Sequence, residues 1–180
     1  GWEQSVEPPD IKKYEVDDPS PSINNLDSFS LPKPGLVAHD SGTEALRNLV
    51  QTWTSQSNGR SAAVRVSGDA ATAISSLGVN EVKAKEVSIS EMWDHLVWAA
   101  SSGGAYGRRP GCAKGRFEAW WCAVALAGLD QEEVWPPLTL ELEEALTEMN
   151  WWIWDDGSLS KGWSLRIAVE DPVDGLSWAL

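Results

Sequence analysis

The chain has 180 residues and a formal net charge of −13, because 27 acidic side chains face 14 basic ones. An acidic surface repels phosphate at long range, so this composition argues against binding to duplex nucleic acid or anionic membranes and favours a basic protein partner. The chain also contains 12 tryptophans but two tyrosines and two phenylalanines, so indole rings supply most of the aromatic burial.

The two cysteines, Cys112 and Cys122, are too few for a disulfide framework or a zinc site, so we expect a reducing compartment and no bound metal. No apolar run reaches the ~18 residues needed to span a bilayer, and the first residues lack the pattern of a signal peptide. We therefore expect a soluble, cytoplasmic protein that does not bind membranes. The chain begins at Gly1 instead of Met, which is compatible with a fragment of a longer protein.

Residues 1–40 contain six of the ten prolines, interleaved with Ser, Asp and Asn and without sustained periodicity. This composition predicts an acidic, Pro-rich tail or linker that is extended, followed by a globular domain over residues 41–180. The apolar residues of "INNLDSFSL" could instead dock on the domain or on a partner.

The segment from residue 41 to residue 87 predicts a helix followed by a small βαβ unit. The capping box Ser41–Glu44 starts the helix, which ends near Asn58–Gly59. Residues 62–67 alternate as a strand, Asp69 caps a short helix, and residues 82–87 form a weaker strand. Because the helical crossover is short, we expect these two strands to pair in parallel.

Three helices are predicted next. Ser88 caps the first, which ends at Gly103–Gly104, and the second spans about Ala113–Ala127. The second helix is apolar nearly all round, which is typical of a central helix. Pro136–Pro137 precede the third, which carries leucines on one face and glutamates on the other.

The C-terminal part predicts an antiparallel hairpin of "NWWIW" and "WSLRIAVE". In the second segment Trp163, Leu165, Ile167 and Val169 alternate with the outward residues Ser164, Arg166, Ala168 and Glu170. "LSWAL" follows as a last strand or the start of a helix. The order of elements predicts an α+β fold: a single compact domain with a small βαβ unit, a central cluster of helices and a C-terminal antiparallel hairpin.

The stretch "SSGGAYGRRPGCAKGRFEAWWCAV" places Arg108, Arg109, Lys114 and Arg116 where the central helix begins. Cations in the first turn of a helix are unfavourable by about 0.3–1 kcal/mol each, and no Ser, Thr, Asp or Asn cap lies nearby. The glycines of this cationic loop would let the backbone approach a ligand. These features make the four cations a candidate binding site for a phosphate or carboxylate.

The alternative is that the protein's own carboxylates neutralise the cationic loop, since Asp155, Asp156, Glu170 and Asp171 in the C-terminal turns could fold over it. The sequence leaves both possibilities open. The pattern matches neither the P-loop nor the dinucleotide-binding fingerprint.

Other candidates for chemistry have ordinary explanations. His95 lies on the polar face of its helix, and Cys112 lies among cations that would favour a thiolate, but neither has a placed base or nucleophile nearby. The paired aspartates of the C-terminal turns are explained by turn formation, because Asp side chains hydrogen-bond the backbone of turns. We assign no catalytic residue and no cofactor.

Several tryptophans fall outside the predicted core stripes. Trp98 lies off the apolar stripe of its helix, and neighbouring indoles in "NWWIW" must face opposite sides of a strand. We take Trp98, Trp152 and Trp154 as candidates for a partner-binding surface, because Trp and Arg dominate interface hot spots. Coverage by the N-terminal tail is the alternative.

The runs "WAASSGGAYGRRPGCAKGRFEAWWCAVALAGL" and "GWSLRIAVEDPVDGLSWAL" resemble an uncharacterised bacterial family, mainly actinobacterial, that is classed as a domain of unknown function. The resemblance covers roughly residues 87–180. It implies no activity, fold or site residues.

The sequence supports two candidate functions. The first is an acidic protein-interaction domain, immunity-like or regulatory, that engages a basic protein. The second is an enzyme or sensor that binds a phosphorylated or carboxylated small molecule at the Gly/Arg loop 103–116. The whole-chain acidity favours the first.

Overall fold

The computed structural model describes residues 25–104, 106–131, 139–158 and 163–180. Most of the predicted tail, residues 1–24, lies outside these ranges. Within residues 25–40, Asp27–Phe29 forms a strand of the sheet, and Ala38 forms an isolated bridge with Arg65. This part of the segment therefore contacts the domain, as the docking alternative expects.

Within the described ranges the chain forms six strands and six α-helices. The strands are β1 (Asp27–Phe29), β2 (Val64–Ser67), β3 (Val82–Val87), β4 (Asn150–Asp155), β5 (Ile167–Asp171) and β6 (Leu176–Ala179). The helices are α1 (Ser41–Leu49), α2 (Gln51–Ser55), α3 (Ala70–Ser75), α4 (Ile89–Ser101), α5 (Cys112–Leu126) and α6 (Thr139–Glu148), and a 3-10 turn lies at Leu129–Gln131.

The strands form one antiparallel sheet in the order β1-β3-β4-β5-β6-β2. The predicted α+β class and the C-terminal hairpin are confirmed, since β4 pairs antiparallel with β5 and Trp151 lies opposite Val169. The "LSWAL" segment is a strand, because β6 pairs with β5 on one side and β2 on the other.

The expected parallel pair of β2 and β3 is wrong. The two strands run in the same direction, but β4, β5 and β6 lie between them. The crossover through α3 therefore spans the width of three strands instead of joining neighbours. Strand β2 takes its partner from the C-terminus of the chain, with Val66 opposite Ser177.

The sheet separates two hydrophobic clusters. The larger one contains α1, α4 and α5 together with Trp151 and Ile153, whereas α3 and Trp154 belong to the smaller one on the other face. The predicted central cluster of helices is therefore present. The expectation that α5 is apolar nearly all round holds only in part, because Phe117 of this helix is 63% exposed.

Among the helices whose preceding residues the structure describes, α1, α3 and α4 start with side-chain caps. Asp69 and Ser88 cap α3 and α4 as predicted, accepting the backbone N–H groups of residues 72 and 91. The cap of α1 is Asp40 instead of Ser41. The Asp40 carboxylate accepts the Thr43 N–H at 2.9 Å. In return, Thr43 Oγ1 accepts the Asp40 N–H at 2.9 Å. A carboxylate also suits the positive end of the helix dipole.

Across the part of the chain that the structure describes, every helix is too short or too polar to cross a membrane.

Candidate functional site

The glycines of the cationic loop are explained by the packing of the chain on itself. A β-carbon on Gly103 would lie 2.2 Å from the carbonyl oxygen of Gly107, and one on Gly107 would lie 2.3 Å from that of Gly103. Gly104 and Gly111 adopt φ of 63° and 92°, and Gly115 packs against α4. The glycines thus close the loop and seat α5, which needs no ligand.

The cations of this loop lie at the surface. Arg108 and Arg109 are exposed, and Arg116 is half-buried. Lys114 pairs with Glu118 one turn further along α5, and the Arg108 N–H donates to Gln56 Oε1 at 3.2 Å. The N-cap residue of α5 is Gly111, so the helix has no side-chain cap, as the sequence predicts.

The C-terminal carboxylates that could have neutralised the cationic loop contact other groups. Asp155 and Asp156 lie 3.2 and 3.0 Å from the terminal nitrogens of Arg166. Glu170 Oε2 accepts the Ala70 N–H, and Asp171 Oδ1 accepts the N–H groups of the following turn. Anion binding at Arg108, Arg109, Lys114 and Arg116 stays a prediction.

The three tryptophans taken as candidates for a partner surface are less exposed than expected. Trp98 is 7% exposed and packs against Trp53 and Trp163, and Trp154 is 4% exposed, so neither is a surface indole. Trp152 is half-buried, with its ring centroid 5.0 Å from that of Phe29. Trp98 lies off the stripe of α4 yet is buried, because α2 and the segment around residue 163 cover that side of the helix.

The remaining candidates for chemistry are His95, the cysteines and possible metal ligands. Burial lowers the pKa of His95, and the charges of Glu91 and Asp94 offset this only in part. Burial also raises the pKa of the Cys122 thiol, which keeps it protonated. The described residues contain no group of three or more His, Cys, Asp or Glu side chains that could hold a metal ion.

A cavity of about 490 Å³ opens at one end of the sheet. At this end Trp154 is the last residue but one of β4 and Leu180 follows β6, while Ala62 leads into β2 and Arg166 into β5. Loops after α2 and α3 and the start of the Gly-rich loop complete the wall. The volume falls in the range of small-molecule sites. We call this cavity the sheet-end pocket.

Three indoles from separate segments line the sheet-end pocket: Trp53, Trp154 and Trp163. Trp53 is fixed because its N–H donates to Ser102 Oγ at 2.6 Å and its ring packs edge-on against Trp98, with centroids 5.6 Å apart. The ring of Trp163 lies 4.7 Å from that of Trp98. The aromatic wall is thus held by the core.

The charged side chains among the described lining residues are both arginines, Arg60 and Arg166. Arg166 is held by four groups: Asp155, Asp156, Ser158 and Ser164. Its guanidinium carbon lies 5.8 Å from the centroid of the Trp154 ring. Burial acts to raise the pKa of Asp156, but hydrogen bonds from Ser158 and the charge of Arg166 outweigh it, so the pKa is lowered and the ion pair persists.

One polar atom of Trp154 is buried beside the sheet-end pocket. Its indole N–H is buried and has no hydrogen-bond partner among the described residues. A buried donor without an acceptor costs about 1–3 kcal/mol, so such a group calls for an explanation. The nitrogen exposes less than 1 Å² to solvent, so this N–H does not open into the pocket.

The sequence indicated Trp154 as a candidate for a partner-binding surface, but it did not indicate the rest of this pocket. Arg60 follows the Asn58–Gly59 turn, and Arg166 was the outward residue of an alternating strand. The pocket draws on segments around residues 53–62, 77–79, 154 and 163–166, and no local pattern brings these together. The available signal was the excess of indoles near the C-terminal turns.

These observations define an α+β domain with an aromatic, arginine-bearing pocket at the end of its sheet. A family model described as a family of unknown function (DUF6183) matches residues 10–174, so the chain belongs to that family. The match extends well beyond the residues that carried the resemblance and includes most of the segment predicted as a tail. No curated protein and no solved structure matches the chain. The actinobacterial origin stays a prediction.

Proposed function

We propose that this domain binds a small, anionic organic molecule in the sheet-end pocket, as a sensor or as the binding part of an enzyme. The observation that carries the proposal is the charge of the lining: in a protein of net charge −13, both charged side chains on the described wall are arginines. Arginine side chains favour carboxylate or phosphate groups. The indoles supply an apolar wall for the rest of the molecule.

This proposal differs from the sequence expectation in the location of the site. The cationic loop adjoins the pocket, because Gly104 lines it and the Arg108 N–H donates to Gln56, next to the lining residue Ser57. The loop cations could therefore attract an anion towards the pocket without contacting it in the bound state.

A thermal-shift panel of aromatic and aliphatic carboxylates and phosphates tests the proposal. A ligand of the pocket raises the melting temperature by mass action. We expect Arg60→Gln to abolish the shift, because it removes a positive charge from the wall of the pocket. Arg60 is exposed, so its replacement leaves the fold intact. The double variant Arg109→Ala/Arg116→Ala is the matched control and should retain most of the shift. The reverse pattern would place the anion on the cationic loop, and no shift with any anion would overturn the proposal.

A second candidate function, the acidic protein-interaction domain, is favoured by α6. Its Glu141, Glu144 and Glu148 are exposed, and no basic residue lies in its last turn. This function would be immunity-like or regulatory and would involve no turnover. Binding of a basic partner that weakens steeply with salt would support it, and reversal of the α6 charges by Glu→Lys changes should abolish that binding.

A further inference from the structure

We infer that two copies of this chain associate through α5 and α6, with the cationic, aromatic surface at the start of α5 in one copy lying against the acidic face of α6 in the other. This surface is separate from the sheet-end pocket, so the inference goes beyond the proposed function. It also assigns carboxylates to the cationic loop, since the C-terminal carboxylates contact other groups.

The surface at the start of α5 combines exposed aromatic rings with positive charge. Phe117 of α5 is 63% exposed, and Tyr106 in the cationic loop is 74% exposed. Lys114 lies about one turn before Phe117 and is exposed, as is Arg108. From residue 106 to residue 117 the chain has four basic side chains and no acidic one. Aromatic and arginine side chains are enriched at protein interfaces. We call this surface the α5 patch: Tyr106, Arg108, Lys114 and Phe117.

The opposing surface is the solvent side of α6. This helix contains four glutamates and no basic residue. Its buried side holds Leu142 and Leu146, which fix the helix to the core. Its solvent side begins with a leucine that is 65% exposed and continues with glutamates at helical spacing. We call this surface the α6 face: Leu140, Glu141, Glu144 and Glu148.

The α5 patch and the α6 face are complementary in charge and in apolar content. Cations surround Phe117 on one surface, and carboxylates follow Leu140 on the other, so opposite charges pair around an apolar contact. Among the described residues, six large hydrophobic side chains are strongly exposed, and three of them belong to these two surfaces. Association removes these three from water, which favours the dimer.

The position of the two helices suits a twofold dimer. Helix α6 packs against α5 within one copy. A twofold rotation therefore places each α5 patch on the α6 face of the partner, so every contact is made twice. The net charge of −13 on each copy opposes association at long range. Salt screens that repulsion beyond about 8 Å under physiological conditions, whereas charges in direct contact are screened much less.

Sedimentation of the purified chain at about 0.15 M salt tests this inference. The wild type should form a dimer as its concentration rises, and Phe117→Ala should weaken the association about tenfold. The variants Arg108→Glu/Lys114→Glu and Glu141→Lys/Glu144→Lys should each be monomeric alone, because like charges then face each other. An equimolar mixture of these two variants should dimerise again, because every contact then pairs opposite charges.

Matched controls change the same charges at exposed positions elsewhere on the domain. Lys33→Glu/Lys83→Glu and Glu81→Lys/Glu86→Lys should dimerise like the wild type, since all four residues are exposed outside the two surfaces. Arg60→Gln in the sheet-end pocket should also dimerise normally, so failure of the proposed function is distinguishable from failure of this inference.

Three results would overturn the inference. The first is a wild type that stays monomeric at millimolar concentration. The second is a mixture of the two reversed-charge variants that stays monomeric. The third is a loss of dimer in the control variants as large as in the α5 and α6 variants, which would show that net charge, and not these surfaces, governs association. None of these results bears on ligand binding in the sheet-end pocket.

Discussion

Gly115 lies where α5 passes over the last turn of α4. A β-carbon at this position would lie 1.8 Å from Ser101 Oγ and 2.7 Å from the carbonyl oxygen of Val97. The hydroxyl can turn away, but the backbone oxygen belongs to a buried helix. At the residue scale, this glycine is therefore required by packing, although the sequence pattern placed it among glycines that serve a ligand.

We expect Gly115→Ala to lower the free energy of unfolding by about 1–3 kcal/mol, because the two helices must separate to accommodate the methyl group. Urea denaturation measures this change. Ser101→Ala is the control: Ser101 Oγ is buried without a partner among the described residues, so its removal should be neutral or stabilising. A Gly115→Ala variant as stable as the wild type would show that α4 and α5 do not pack as the structure has them.

At the scale of elements, one carboxylate joins α1 to the far edge of the sheet. Asp40 caps α1, its carboxylate oxygens each lie 3.2 Å from the indole nitrogen of Trp178 on β6, and it lies 3.5 Å from Arg65 Nε on β2. Gly42 permits this contact, since a β-carbon there would lie 2.7 Å from the Trp178 nitrogen. Loss of Asp40 therefore removes a helix cap and leaves a buried indole N–H unsatisfied.

Asp40→Ala should lower the free energy of unfolding more than Asp69→Ala does. Asp69 is a matched cap on α3, but its hydrogen bonds stay within its own helix turn. Loss of a cap costs about 0.5–2 kcal/mol, and we expect Asp40→Ala to exceed Asp69→Ala by about 1 kcal/mol. Denaturation curves of the two variants give the comparison. Equal losses would mean that the contacts to β2 and β6 contribute nothing.

Local patterns located most elements because caps and alternation are local signals. Asp69 and Ser88 marked their helices, and the alternation through Ile167 and Val169 marked β5. Pairing is a long-range property, so the sequence could not show that β2 joins β6 instead of β3. Trp98 was misplaced for the same reason: a residue off one helix stripe can be buried by elements that are distant in sequence.

At the scale of the whole molecule, the candidate site depends on the order of strands. Placing β5 between β4 and β6 brings Arg166 beside Trp154 and Leu180, and the edge strand β2 brings the loop that carries Arg60 to the same end. The sequence predicted an anion site from an electrostatic mismatch at α5. The structure offers a second, more enclosed location for that chemistry, which could be recognised only once the sheet was assembled.

The indole N–H resonances of ¹⁵N-labelled protein, assigned by single Trp→Phe changes and followed during titration with naphthalene-2-carboxylate, test the central claim most directly. We predict that the resonances of the lining residues Trp53, Trp154 and Trp163 move. The resonances of Trp93 and Trp120, which pack against each other outside the pocket, should stay in place. Shifts confined to Trp93 and Trp120, or unchanged resonances of the three lining indoles at millimolar probe, would contradict ligand binding at the end of the sheet.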